Sequence, residues 1–228
     1  MNKYRITKLV CYVGFVVQAI INNFLPILFV SLQDNYGLDY EKLARLIVVN
    51  FGTQTVVDLL TPKITKRFGY RTTAFLSQFT ASLGLVMMGI LPTVMADKYL
   101  AICISAMVYA AGSGLMEVVL SPMVEILPSD NKRGSMQILH SFYCWGQAFT
   151  IIVTTALVGV FGSKNWSFVP LIWAVIPFVN AFFFLKVPII EPPADEKQAT
   201  FLELLKRHQF RGYMLMMLCA GASEIAMA

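Results

Sequence analysis

Six runs of about 20 apolar residues recur along this 228-residue chain, and they constrain its fold more than any other feature. A bilayer core about 30 Å thick requires roughly 20 helical residues, because only a helix satisfies its own backbone hydrogen bonds in hydrocarbon. The predicted spans are Leu9–Leu32, Leu43–Leu60, Thr72–Thr93, Tyr99–Met123, Ser135–Phe161 and Ser167–Leu185. The sequence therefore predicts an all-α membrane protein with a six-helix transmembrane bundle over residues 1–185.

The composition agrees with lipid as the solvent. Hydrophobic residues make up 57% of the chain and charged residues 14%, whereas a soluble domain carries about 25% charge. The net charge of +5 is spread over short segments between apolar runs, which argues against a nucleic-acid partner. The four cysteines lie inside apolar runs without CxxC spacing. We therefore expect packing cysteines, no metal site and no cofactor.

The distribution of basic residues predicts the orientation. Of the 18 lysines and arginines, Lys42, Arg45, Lys98 and Lys164 fall on the side of the predicted bundle opposite to the N-terminus. Basic residues near helix ends favour the cytoplasm. We therefore expect a multi-pass protein of the plasma (inner) membrane with a cytoplasmic N-terminus and both ends of the bundle inside.

The residues after the sixth span divide into two predicted segments. Residues 186–211 contain a charged stretch with two prolines and then an amphipathic stretch, which is typical of a cytoplasmic linker that ends in a short surface helix. Residues 212–228 are apolar and predict the beginning of a seventh transmembrane helix, truncated at Ala228. Six spans, a linker and the start of a seventh span describe half of a larger assembly.

Polar side chains recur inside four of the predicted spans at spacings that place them on one helix face. They are Gln18, Asn22 and Asn23 on the first span, Asn50, Gln54 and Asp58 on the second, Ser113, Glu117 and Ser121 on the fourth, and His140, Tyr143 and Gln147 on the fifth. Two explanations stay open. The residues either form hydrogen bonds between helices, each worth about 0.6 to 2 kcal/mol, or they border a water-filled passage.

Glu117 differs from the amides because an unpaired carboxylate in hydrocarbon is strongly destabilising. It must take up a proton or find a partner, which favours a functional role. His140 is a candidate partner, since both residues fall in the cytoplasmic halves of consecutive predicted helices; alternatively, His140 hydrogen-bonds a backbone carbonyl. Asp58 lies where the second span meets a basic loop and is predicted to form an ion pair or a helix-end contact there.

That basic loop resembles a family motif. Residues 62–71, between the second and third spans, are similar to the loop of the major facilitator superfamily, usually written G-x-L-a-D-[RK]-x-G-[RK]-[RK]. Arg67, Gly69 and Arg71 match the motif, whereas the first position and Lys66 depart from it. Asp58, a little over two turns upstream of Lys66, is the candidate substitute for the missing acid.

Two further stretches narrow the resemblance. Residues 112–122 on the fourth span and 139–146 on the fifth look like the corresponding helices of the fucose-permease-like, sugar:proton symporter branch. In that branch an acid on the fourth helix is linked to proton coupling, and Glu117 occupies the matching position. The resemblance implies the amino-terminal half of a twelve-span transporter, whose partners are a sugar-like solute, a proton, the bilayer and the missing carboxy-terminal half.

These observations predict a secondary active transporter that works by alternating access and is not an enzyme. Amides such as Gln18, Asn22, Asn50, Gln54 and Gln147 suit a polyhydroxylated solute, and Tyr143 and Trp145 suit stacking on a sugar face. A non-transporting structural or assembly subunit is the main alternative. An integral-membrane enzyme is less favoured, because the chain has no HExxH, Ser/His/Asp or metal-spaced His/Cys pattern.

Overall fold

The computed structural model describes residues 3–129, 131–191 and 201–227, a part of the chain that is almost entirely helical and contains no β-strand. The helices are α1 (Arg5–Ile27), α2 (Phe29–Tyr36), α3 (Tyr40–Val94), α4 (Lys98–Ile126), α5 (Lys132–Phe161), α6 (Phe168–Lys186), α7 (Phe201–Lys206) and α8 (His208–Met227). A short 3-10 turn, Ser163–Asn165, separates α5 from α6. Two compact units are formed, Met1–Glu191 and Pro192–Ala228.

Five helices, α1, α3, α4, α5 and α6, are long and apolar enough to cross a membrane. The 55 residues of α3 correspond to about 83 Å of helix, far more than the bilayer core of about 30 Å. Gly69 lies within α3 at φ 80° and ψ 162° and interrupts the helical geometry there. The sequence predicted an open loop at residues 61–71, whereas the structure keeps helical backbone up to this glycine. The protein is a multi-pass integral membrane protein.

The first predicted span is broken near its end. Residues Leu9–Leu32 were predicted as one helix, but α1 ends at Ile27 and α2 restarts at Phe29. Pro26 has no backbone N–H and therefore removes one bond of the helical ladder. The N–H of Leu28 donates instead to the carbonyl oxygen of Leu25, at 3.0 Å, in a tighter turn. Leu28 keeps dihedral angles of the helical region, so a single turn residue separates α1 from α2.

The starts of the long helices have side-chain caps. Asp39 accepts a hydrogen bond from the backbone N–H of Lys42, at 2.9 Å, and begins α3. Asp97 and Asn131 make the equivalent bonds at the starts of α4 and α5. Each cap satisfies a backbone donor that has no partner within its own helix. These bonds fix where α3, α4 and α5 begin.

Small residues let α4 lie close against α3. A Cβ added at Gly84 would stand 2.3 Å from the backbone nitrogen of Tyr109, and one at Gly112 would stand 2.6 Å from backbone atoms of Ser77 and Ala81. Such glycines allow helix backbones to approach each other in membranes. On the other side of the bundle, Gly146 brings α5 against α1 near Val16. The resulting bundle places α1, the first part of α3 and α4 around one polar cluster.

The second unit contains α7 and α8. The short helix α7 lies where the sequence predicted an amphipathic surface helix, and α8 begins at His208, four residues before the predicted start of the seventh span. Residues 192–200, in the middle of the predicted linker, lie outside the described residues. The linker and seventh-span boundaries therefore stay predictions.

Candidate functional site

The Glu117 carboxylate on α4 accepts two hydrogen bonds from amides on two other helices. Gln54 on α3 donates through Nε2 to Oε2 of Glu117, at 2.6 Å, and Gln18 on α1 donates through Nε2 to the same oxygen, at 2.9 Å. Hydrogen bonds to an ionised acceptor are stronger than neutral ones. The arrangement therefore joins three helices at a single carboxyl group.

A glycine one turn before Glu117 makes this geometry possible. A Cβ added at Gly114 would stand 2.8 Å from the carbonyl oxygen of Gln54 and 2.9 Å from Oδ1 of Asp58. The backbone of α4 therefore lies directly against α3 at this level, and Glu117 comes within reach of Gln54. Ser113 donates to Oε1 of Gln54, at 3.4 Å. The Gln54 amide is thus held on both sides by α4.

The site combines buried amides with an accessible carboxyl group. The exposed fractions of Gln18 and Gln54 are 5% and 7%, whereas Glu117 is exposed on the surface of its unit. The amides therefore have a fixed position in the packed bundle and the carboxyl group faces outward from them. Such a group can exchange a proton or bind a hydroxyl-bearing solute.

Several buried acceptors around Glu117 have no hydrogen-bond partner among the described residues. They are Oε1 of Gln18, Oδ1 of Asn22, Oδ1 of Asn50 and Oδ1 of Asp58. The first lies on Gln18 itself, and each of the others lies one helical turn from Gln18 or Gln54. Buried polar atoms without partners are rare in folded proteins and require a donor. Water and solute hydroxyl groups carry donors of this kind, so the cluster is a candidate polar binding site.

Glu117 does not line the groove that two α5 residues of the predicted site occupy. His140 and Trp145 are exposed and line an open groove of about 450 Å³. The His140 ring packs edge-on against Phe15, with 5.5 Å between the ring centroids. No hydrogen bond or ion pair links His140 to Glu117 in the described part of the chain. The carboxylate is therefore partnered by amides and not by the imidazole.

The remaining polar residues of α1 and α5 have different surroundings. Tyr143 and Gln147 are half-buried, and the Asn22 amide donates to the Tyr143 hydroxyl at 3.5 Å, a long contact. Asn23 donates to the carbonyl oxygen of Ala19, one turn back in its own helix, at 2.8 Å. Asn22 and Tyr143 thus link α1 to α5, whereas the Asn23 amide is used within α1.

The loop-motif residues serve the kink in α3 and the end of α6. Gly69 takes a backbone conformation that is almost exclusive to glycine. Arg71 donates to the carbonyl oxygens of Phe184 and Leu185, at 3.2 and 2.7 Å. These carbonyls belong to the last turn of α6 and have no helical partners, so a cation there is stabilising.

A charge relay at the loop would need ion pairs from Asp58 and Arg67, and neither residue forms one among the described residues. The Arg67 guanidinium lies 5.5 Å from the ring centroid of Phe68. Among the described residues the ion pair that forms is Arg45 with Glu41, and Asp58 has none. Asp58 lies instead against Gly114, on the same seam of α3 and α4 as Glu117. Its position connects it to the candidate site more closely than to the loop.

Two buried amides, Gln78 and Asn180, escaped the sequence predictions. Gln78, in the second part of α3, is fully buried and donates to the sulfur of Met116, at 2.7 Å, while its Oε1 has no partner among the described residues. The signal was present in the sequence as a single amide inside an apolar run.

Comparison with known proteins identifies the family. A sequence profile described as Major Facilitator Superfamily matches residues 10–228. The chain belongs to the Major Facilitator Superfamily. This is a family of membrane transporters, so the chain is a transporter-family protein. A sequence search of curated proteins found no match.

Solved transporter structures share the fold. FucP in the outward conformation is 16% identical, with a TM-score of 0.69, over 90% of this chain and 56% of that one. The inward-open xylose transporter XylE from E. coli is 13% identical, with a TM-score of 0.72, over 90% of this chain and 50% of that one. A variant of the E. coli fucose:proton symporter FucP is 15% identical, with a TM-score of 0.68, over 90% and 56% of the two chains. This superfamily chain spans about half the length of these transporters.

Proposed function

We propose that this chain is the amino-terminal half of a secondary active transporter that moves a small polar, sugar-like solute by alternating access, coupled to protons. The Glu117 cluster supports the proposal most strongly. A carboxylate held by two buried amides from other helices, with four unpartnered acceptors nearby, suits a solute rich in hydroxyl groups.

Glu117 is the proposed coupling group. Its carboxyl group is exposed on its unit and accepts hydrogen bonds from two amides of other helices. A carboxyl group that gains or loses a proton changes the hydrogen-bond pattern that it offers to a solute. Proton binding and solute binding are thereby linked through the same side chain.

The proposed topology has six spans before residue 186, with α3 supplying two of them on either side of Gly69. The cytoplasmic N-terminus, the linker at 186–211 and the beginning of a seventh span complete the half transporter. Its partners are the carboxy-terminal half, the solute, the proton and the lipid of the plasma membrane. The half length relative to FucP and XylE supports this interpretation.

Transport by the protein joined to its carboxy-terminal half, reconstituted in vesicles, tests the proposal. With an inward proton gradient we expect accumulation of at least one radiolabelled monosaccharide from a panel that includes fucose and xylose. A protonophore should abolish the accumulation, because the gradient supplies the driving force. The same vesicles with residues 1–228 alone provide the matched control and should show no uptake, since half of the proposed passage is absent.

Two results would contradict the proposal. If no polyhydroxylated solute is accumulated or raises the melting temperature of the joined protein, the chain is not part of a sugar-type transporter, because a bound solute must stabilise the folded state. If residues 1–228 alone accumulate the solute as fast as the joined protein, the half-transporter assignment is wrong.

A further inference from the structure

A groove of about 400 Å³ lies between α1 and α6, on a face of α1 different from the one that carries Gln18 and Asn22. Its walls are apolar and include Ile6, Leu9 and Val13 of α1 and Val175, Val179 and Phe183 of α6. The buried amide of Asn180 lies on its lining and donates to the carbonyl oxygen of Val10, at 3.2 Å, which ties the two helices together. The groove is thus a fixed feature of the packing.

One end of this groove is basic. The Thr7 hydroxyl donates to the carbonyl oxygen of Pro188, at 2.9 Å, so the start of α1 lies beside the residues that follow α6. Arg5 precedes Leu9 of the groove wall by one turn, and Lys186 follows the last wall residue of α6 by three positions. Both cations therefore lie at the same end of the groove.

The two cations are available for an outside partner. Arg5 and Lys186 are exposed, and the described residues provide neither an ion pair nor a side-chain hydrogen bond to them. The closest acid along the chain from Lys186, Glu191, has its Oε1 3.0 Å from where a Cβ of Gly69 would stand, so it faces the kink in α3. The basic end of the groove has no described protein anion to neutralise it.

We propose that this groove binds one acyl chain of an anionic diacyl phospholipid, whose phosphate lies between Arg5 and Lys186. The groove wall on α1 extends over eight residues from Ile6 to Val13, which is about 10 Å of helix. One leaflet contributes about 15 Å of hydrocarbon, half of the bilayer core. The wall is therefore short enough to lie within one leaflet, and the part of an acyl chain nearest the headgroup can run along it while the headgroup stays level with the two cations, as in other basic pockets between membrane helices.

Lipid retention by the full chain, measured by native mass spectrometry, tests the site. The two probes are dioleoylphosphatidylglycerol and dioleoylphosphatidylcholine, which have the same tails and differ in headgroup charge. We expect the anionic lipid to be retained more strongly. Removing one cation should lower its affinity about fivefold, and the double variant Arg5→Gln with Lys186→Gln should lower it about 30-fold.

Two further variants separate this site from general effects of charge and of folding. Arg133→Gln with Lys164→Gln removes the same number of exposed cations away from the groove and should keep the preference for the anionic lipid. Val179→Trp fills the groove from a position that is 46% exposed and should reduce retention of both lipids, with circular dichroism reporting the fold.

Three outcomes would overturn the inference. Equal retention of the two lipids by the unsubstituted chain would remove the headgroup argument. An equal loss in both double variants would show a non-specific charge effect. Unchanged lipid retention in Val179→Trp would mean that lipid does not occupy the groove. If the same variant also lost a dimer of the chain, the occupant would be a second copy of the chain.

Discussion

Replacing Glu117 with Gln is expected to abolish proton-driven accumulation of the transported solute while leaving counterflow in place. Glutamine has nearly the same shape and its Oε1 accepts the bonds from Gln18 and Gln54, but it cannot take up a proton. A coupling free energy of about 1.4 kcal/mol changes an equilibrium constant tenfold, so we expect accumulation to fall by about tenfold or more. Uptake with and without a proton gradient, in vesicles containing the joined protein, measures the effect.

Glu125→Gln is the matched control for this prediction. Glu125 is exposed on the same helix, two turns beyond Glu117, and makes no hydrogen bond from its side chain to the described residues. The same change of charge there should leave accumulation at the unsubstituted level. If Glu117→Gln keeps both accumulation and counterflow, Glu117 carries no coupling proton. If it loses both while the fold is intact, its role is solute binding.

Replacing Gln54 with Leu is expected to destabilise the bundle and to do so through Glu117. Leucine removes the 2.6 Å bond to the carboxylate and the acceptor for Ser113. A hydrogen bond to a charged group contributes about 1.5 to 3 kcal/mol to the free energy of unfolding. We therefore expect a loss of about 2 kcal/mol, measured by unfolding in mixed micelles.

A double-mutant cycle that combines Gln54→Leu with Glu117→Leu distinguishes the loss of this hydrogen bond from a general packing defect. If the bond carries the effect, the two substitutions together cost less than the sum of the single ones, with a coupling of about 1 to 2 kcal/mol. Gln137→Leu, the same substitution at an exposed position of α5, should change the free energy by less than about 0.5 kcal/mol. Additive effects of Gln54→Leu and Glu117→Leu would contradict the proposed pairing.

The long helices follow from the sequence, but their breaks do not. Apolar length alone predicts where the chain crosses a membrane, because the bilayer requires it. Whether a glycine or proline between two spans opens a loop depends on the neighbours of that residue. Gly69 breaks α3 sharply, whereas Pro62 lies inside the same helix, and Pro26 merely tightens the turn at Leu28. The intrinsic helix propensities of glycine and proline predict none of these outcomes.

The candidate site, too, could be predicted from the sequence only in part. Helical spacing indicates which residues share a face, such as Asn50, Gln54 and Asp58 on α3. Which helix faces pack against each other depends on how the helices cross, and the crossings depend on close contacts such as that of Gly114 with α3. The sequence offered His140 as a partner for Glu117, because both lay in the same half of the membrane. The structure gives that position to Gln18 and Gln54, which lie on helices distant along the chain.

Water access at position 117 tests the central claim most directly. In a variant without the four native cysteines, Glu117→Cys would be labelled in vesicles with a membrane-impermeant, charged thiol reagent. Because thiolates form and react in water, we expect labelling about tenfold or more faster than for Phe178→Cys, an exposed apolar position of α6. Labelling as slow as that of Phe178→Cys would show that position 117 faces lipid and would contradict a hydrated solute passage at this site.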